Sequence, residues 1–153
     1  MTFSLRDATA ADIAAITAIY RESVLTGTAS YEITPPDEAE MAGRYEAIMQ
    51  KGYPYLVAAD PDGAILGYAY AGAFRTRPAY RWIVEDSIYL ARSARGRGVG
   101  RALLAALLER CTALGFRQMV APPQWRFTAR PASPRSARSR APATSTAAGS
   151  TRC

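Results

Sequence analysis

Three glycines in "RGRGVGRALLAALL" are the part of this 153-residue chain best suited to holding an anion. Gly96, Gly98 and Gly100 stand where a strand pattern, "WIVEDSIYLA", gives way to a helical one that runs through Leu114. Glycine accepts positive φ and lets backbone approach a ligand closely. The helix that follows offers unpaired N–H groups and the positive end of its dipole, so turn and helix together form a seat for a diphosphate. Arg95, Arg97 and Arg101 add positive charge around it. The turn lacks the Gly-Lys-Ser/Thr of a P-loop. It also departs from a dinucleotide fingerprint: the spacing is G-x-G-x-G, and the next strand pattern, "FRQMVA", ends without an acid. On these residues alone, a flexible turn with solvated arginines is an equal reading.

Glu85 and Asp86 break the apolar run of "WIVEDSIYLA". Adjacent strand residues point to opposite faces, so the two carboxylates serve different environments. Apolar neighbours desolvate Glu85 and raise its pKa toward that of a usable base. The residue pattern by itself reads more simply, as a salt-bridged carboxylate on a strand face.

The elements that must position these groups follow from periodicity. "FSLRDA" reads as a first strand. "TAADIAAITAIYRESVLTG" reads as a helix with Thr9 as N-cap, Asp12 three residues on, Ile13, Ile16, Tyr20 and Val24 on one face, and Gly27 as its end. "TPPDEAEMAGRYEAIMQKG" reads as a second helix with an acidic first turn, with Met41, Tyr45, Ile48 and Met49 on one face and Lys51-Gly52 as its stop. "YPYLVAA", the turn "DPDG" and "AILGYAYAGAF" predict a hairpin. An irregular link, "RTRPAYR", then leads to the strand holding Glu85, and a final strand, "FRQMVA", follows the long helix. The predicted order is β-α-α-β-β-β-α-β.

The totals exclude several classes. Hydrophobic residues make up 49% and charged residues 21%, as in a globular domain, and no run approaches a membrane span. Arg6, Asp7 and Asp12 interrupt any apolar leader near Met1, which makes the cytoplasm the expected compartment. Two cysteines, Cys111 and Cys153, and no histidine give no zinc set, so no metal is expected. The net charge of +6 is confined to one end: six of the 19 basic residues (Arg126, Arg130, Arg135, Arg138, Arg140 and Arg152) follow Ala121, where there is no acid, and the other 13 match the 13 acids. That placement argues against nucleic-acid binding by the folded part.

With these motifs quoted, the chain resembles the GCN5-related N-acetyltransferases. "RGRGVG" looks like that family's acetyl-CoA pyrophosphate loop, R/Q-x-x-G-x-G/A. "TASYEITPP", "GYPYLVA", "GYAYAGAFRTRPAYRW", "VEDSIYL" and "ALGFRQMVA" look like its phosphinothricin N-acetyltransferase branch. The resemblance implies an α/β (α+β) fold, a mixed, mainly antiparallel sheet flanked by helices, with the domain spanning residues 1–121. It implies acetyl-CoA as cosubstrate, with the pantetheine arm along Ile88, Tyr89 and Leu90 and the pyrophosphate held by Arg95, Gly96, Arg97, Gly98, Val99, Gly100 and Arg101. Glu85 matches the catalytic base. Arg75 and Arg77, which would face the same way in extended chain, match substrate contacts together with Tyr80 and Tyr31. The implied substrate is a small amine, an amino acid with an anionic or strongly polar tail such as phosphinothricin or methionine sulfone or sulfoximine. Family members often dimerise, so a homodimer belongs to the same expectation.

After Ala121 the resemblance stops. Residues 122–153 contain no Leu, Ile, Val or Met and consist almost entirely of Arg, Ala, Pro, Ser and Thr. Such a segment buries too little apolar surface to offset its ordering entropy, so it reads as an irregular tail. The family's closing helix, with its L-H-x-x-L-G-F motif, and its closing strands are missing, so the domain reads as incomplete. An abrupt change of this kind points to a reading-frame shift in a GC-rich gene. The alternatives are a basic appendage for nucleic acid, poorly supported by only two aromatics (Trp125 and Phe127), a solvated tail without function, or a catalytically inactive fragment.

Overall fold

The computed structural model describes residues 2–26, 33–75, 77–120 and 150–151. The chain begins with β1 (Ser4–Asp7), passes through a single 3-10 turn and enters α1 (Ile13–Thr26). One carboxylate fastens this junction. Asp12, buried, accepts from both terminal nitrogens of Arg6 at 2.7 and 2.8 Å and from the Thr9 backbone N–H at 2.8 Å. The Arg6 guanidinium, more than any other partner, holds the Asp12 pKa below the ordinary carboxylate value. The expected pairing of Thr9 with Asp12 is therefore present, one turn ahead of the α-helix proper. The expected stop at Gly27 lies outside the described residues.

The second helix, α2 (Glu38–Gln50), is capped by Asp37, whose Oδ1 accepts from the Glu40 N–H at 2.8 Å. Gly52, at φ 77°, turns the chain away from it. Met41 is buried and Tyr45 and Ile48 are half-buried, but Met49 is exposed, so the apolar face is narrower than predicted. Next come β2 (Tyr55–Ala59) and β3 (Ile65–Ala73), joined by a turn in which Asp60 Oδ1 accepts from the N–H groups of Asp62 and Ala64. They are followed by β4 (Ile83–Leu90), α3 (Val99–Ala113), β5 (Gln118–Val120) and the two-residue β6 (Ser150–Thr151).

The strands form one mixed sheet in the order β1-β2-β3-β4-β5-β6, antiparallel throughout except for the parallel pair β4–β5. Both faces are covered. On one, Leu56, Ala58, Ala69, Ala71, Val84, Ile88 and Met119 meet Leu103, Leu107 and Cys111 of α3. On the other, Tyr55, Val57, Tyr68 and Tyr89 meet Ile16, Ile19, Tyr20 and Val24 of α1 and Met41 of α2. Burying apolar area on both faces supplies the main driving force for this three-layer arrangement. Within the tail predicted to be irregular, Ser150 and Thr151 pair with Val120 and Met119, and residues 121–149 lie outside the described residues. No helix among the described residues is long and apolar enough to cross a membrane.

Gly67 fixes how closely β3 and β4 pack. A Cβ built there would lie 2.6 Å from Leu90 Cδ2 and 2.8 Å from the Tyr89 carbonyl oxygen. The leucine can rotate away, but the carbonyl belongs to the ladder. Gly67→Ala is expected to destabilise the fold by about 1–3 kcal/mol. A urea denaturation midpoint checks this, and an unchanged midpoint would show that the strands can part without cost.

Candidate active site

The parallel pairing of β4 with β5 covers Ile83, Val84 and Glu85, matched with Gln118, Met119 and Val120. Beyond Glu85, β4 keeps its ladder with β3 as far as the match of Leu90 with Gly67, but no described residue of β5 accompanies it. Ile88, Tyr89 and Leu90 match Ala69, Tyr68 and Gly67 of β3. This is where the sequence reading placed an extended ligand.

That stretch leads straight to the glycine turn. Ala91 donates to the Leu66 carbonyl at 2.8 Å, a 3-10 turn covers Arg92–Ala94, and Gly96 and Gly98 take φ of 75° and 82°. Those angles are the physical reason for glycine at both positions. Gly98 is the N-cap of α3, and the first helical bond runs from the Ala102 N–H to the Gly98 carbonyl at 3.0 Å. The N–H groups of Val99, Gly100 and Arg101 precede that bond and form the anion-facing end of the helix. Val99 and Gly100 belong to the helix itself and are buried, so they present backbone alone, while Arg95, Arg97 and Arg101 are exposed. No acid occupies the first turn of α3 to oppose an anion.

Glu85 is half-buried, and desolvation raises its pKa above the ordinary carboxylate value. In the sheet register its two neighbours are Gly72 of β3 and Val120 of β5. Its face carries Tyr70, Tyr68 and Tyr89, and the tyrosines stack into a ladder with Tyr55: ring centroids are 5.0 Å apart for Tyr55 and Tyr70 and 5.2 Å for Tyr68 and Tyr89. Asp86 faces the other way, as predicted, into the α3 layer. Only 2% exposed, it has no hydrogen-bond partner for Oδ1 among the described residues, and its pKa is pushed up to about 6, mainly by burial and further by the Glu85 charge, against a backbone hydrogen bond that lowers it.

The residues expected on the substrate side are partly brought together. The Arg75 guanidinium lies 5.2 Å from the Phe74 ring and 5.6 Å from the Tyr80 ring, and the two rings pack edge to face. Arg77 caps the 3-10 turn Pro78–Tyr80. Because β3 ends at Ala73, the two arginines do not share a strand, and the extended-chain reason for aligning them does not apply. Tyr31 lies outside the described residues. Sequence reasoning passed over Trp82, flanked by Arg81 at 5.3 Å and Arg117 at 5.7 Å, whose carbonyl accepts from the Arg117 N–H at 2.9 Å and so ties β5 to the start of β4. It also passed over Gly72, whose place opposite Glu85 depends on a strand pairing that no local pattern encodes. No cluster of three metal-ligating side chains occurs among the described residues.

Residues 14–130 match the Acetyltransferase (GNAT) family. The chain is 53% identical over 110 residues to a phosphinothricin N-acetyltransferase of Alcaligenes faecalis, covering 72% of this chain and 55% of that protein. It is 44% identical over 121 residues to an L-methionine sulfoximine/L-methionine sulfone acetyltransferase of Pseudomonas paraeruginosa, covering 79% of this chain and 70% of that one. A GNAT superfamily phosphinothricin acetyltransferase from Sinorhizobium meliloti, crystallised in complex with AcCoA, superposes with a TM-score of 0.77 at 66% identity, over 79% of this chain and 65% of its own. The chain thus spans little more than half of the Alcaligenes relative.

Proposed function

The chain belongs to the GNAT acetyltransferase family, and on that premise we propose that it transfers the acetyl group of acetyl-CoA to the amino group of a small amino acid of the phosphinothricin or methionine sulfone/sulfoximine type. One observation carries the reading: the half-buried carboxylate Glu85 lies on the same strand whose C-terminal end, Ile88 to Leu90, runs into the glycine turn before α3, where Gly96 and Gly98 take positive φ. A base, a backbone segment for an extended arm and an anion seat therefore follow one another along a single stretch of chain.

Acetyl-CoA supplies an activated thioester carbonyl. The backbone of Ile88, Tyr89 and Leu90 holds the pantetheine arm, as an added strand would be held. The N–H groups of Val99, Gly100 and Arg101, the turn at Gly96 and Gly98, and the charges of Arg95, Arg97 and Arg101 hold the pyrophosphate. One helix N-terminus contributes about 0.3–2 kcal/mol toward an anion, so the arginines must share the work. The substrate amine arrives protonated, and Glu85 takes its proton so that nitrogen can attack the carbonyl. The C–S bond then breaks, and the coenzyme leaves as thiol once it gains a proton. Arg75, Arg77, Tyr80 and Tyr31 orient the polar tail of the substrate.

A thiol-release assay with acetyl-CoA and a panel of amino acids and their analogues tests the proposal. Phosphinothricin, methionine sulfone and methionine sulfoximine are expected to give release above the rate without amine. No release with any amine would leave the inactive-fragment reading.

A further inference from the structure

We propose that Gly72 sets the size of the amine this site accepts: the space left by its missing side chain, directly across the strand pair from Glu85, receives the carbon skeleton that bears the reacting nitrogen. The inference rests on the acetyltransferase reading and extends it to a residue with no assigned role.

Glycine inside a strand needs a reason, because it costs backbone entropy and forfeits packing. Two ordinary reasons are absent at position 72. Its φ is not among the positive values seen at Gly52, Gly63, Gly96, Gly98 and Gly115, so no left-handed conformation requires it. Nor does close packing, since a Cβ built there meets no described residue within 4 Å. Gly67, on the same strand, is the contrasting case, jammed against the Tyr89 carbonyl and Leu90. What Gly72 provides, among the described residues, is the empty volume itself.

That volume lies in a telling place. Gly72 and Glu85 are matched across the β3–β4 ladder, so their side-chain directions share a face. Directly opposed Cβ positions in such a pair are about 4.5–5.5 Å apart. On the far side of Glu85 stands Val120, its match in the parallel pair with β5. Gly72 is only half-buried, as is Glu85, so the space is reachable from solvent. An amine that hands its proton to Glu85 must bring its carbon skeleton within a few ångströms of the carboxylate, and the open side is the one over Gly72.

The test uses Gly72→Ala and Gly72→Val in the full chain. Both are expected to fold with melting temperatures equal to or above that of the parent, since the space is open and valine favours strands. The KM for the preferred amine is expected to rise by at least roughly 10- to 200-fold in the valine variant, the range for a single methylene of misfit, and by less in the alanine variant. The KM for acetyl-CoA is expected to stay constant, and amines branched next to the nitrogen should suffer more than unbranched ones. A folded valine variant with unchanged kcat/KM for every amine would overturn the proposal while leaving the acetyltransferase reading intact. An equal rise in both KM values would also overturn it, as a distorted cleft. If valine prevents folding, the alanine variant decides by the same two constants. A parent chain that releases no thiol with any amine defeats the enzymatic reading, and this inference with it.

Discussion

Glu85→Gln is expected to lower kcat/KM for the amine by about 10²–10⁴-fold, the usual worth of a positioned general base, with the fold and the affinity for acetyl-CoA retained. The magnitude follows from the chemistry of the step. A protonated amine cannot attack a carbonyl, and glutamine keeps the size of glutamate while being unable to take the proton. The location supports the same expectation. Glu85 is half-buried on β4 and has a pKa lifted by desolvation, so it is a better base than an ordinary carboxylate. Activity should rise with pH through the Glu85 titration, and that limb of the kcat/KM profile should sit above the ordinary carboxylate range and vanish in the glutamine variant. A variant that keeps the limb, or loses less than tenfold, would move the base elsewhere. Isothermal titration with coenzyme A separates a chemical defect from a binding one.

Much of this site was legible in the sequence because its parts are local. Glycines at 96 and 98 before an apolar helical period announce a left-handed turn at a helix N-terminus, and both take positive φ. The DPDG hairpin, the Asp12 cap and the opposite faces of Glu85 and Asp86 likewise depend on residues within a few positions of each other. What could not be read is non-local. The register that sets Gly72 against Glu85 and Tyr68 against Tyr89 joins residues 13 to 21 positions apart along the chain, and it appears only once the sheet is assembled. Arg75 and Arg77 were aligned on the premise of extended chain, whereas β3 stops at Ala73 and a 3-10 turn follows. Met49 keeps helical spacing yet remains exposed, since periodicity gives a direction and not the neighbour that covers it.

Asp86 predicts an equally large effect on stability. The residue is 2% exposed in the α3 layer, opposite Ala71 and near Val84 and Ile88, and its Oδ1 has no partner among the described residues. The native pKa of about 6 stands above the ordinary 3.8, so the folded state holds its proton more tightly than the unfolded chain does. The contribution of Asp86 to stability is therefore greatest below about pH 4, falls as pH rises toward 6, and levels off above it, a loss of about 3 kcal/mol at most across that window. Asp12 acts in the opposite sense and in a different range: its pKa is depressed by Arg6, so its contribution is present above the ordinary carboxylate value and is lost only in stronger acid. The two titrations can be told apart by removing one. Asp86→Val, similar in volume and apolar like its surroundings, should raise the stability at pH 8 by about 3 kcal/mol, leave that at pH 4 nearly unchanged, and flatten the slope between them. Urea midpoints at four pH values from 4 to 8 measure this directly. A valine variant that is no more stable than its parent at pH 8 would mean that the carboxylate finds a partner in solution. Because Asp86 faces away from the cleft, the same variant should keep the thiol-release rate of the parent, which separates the carboxylate that weakens the fold from its neighbour in sequence that serves the reaction.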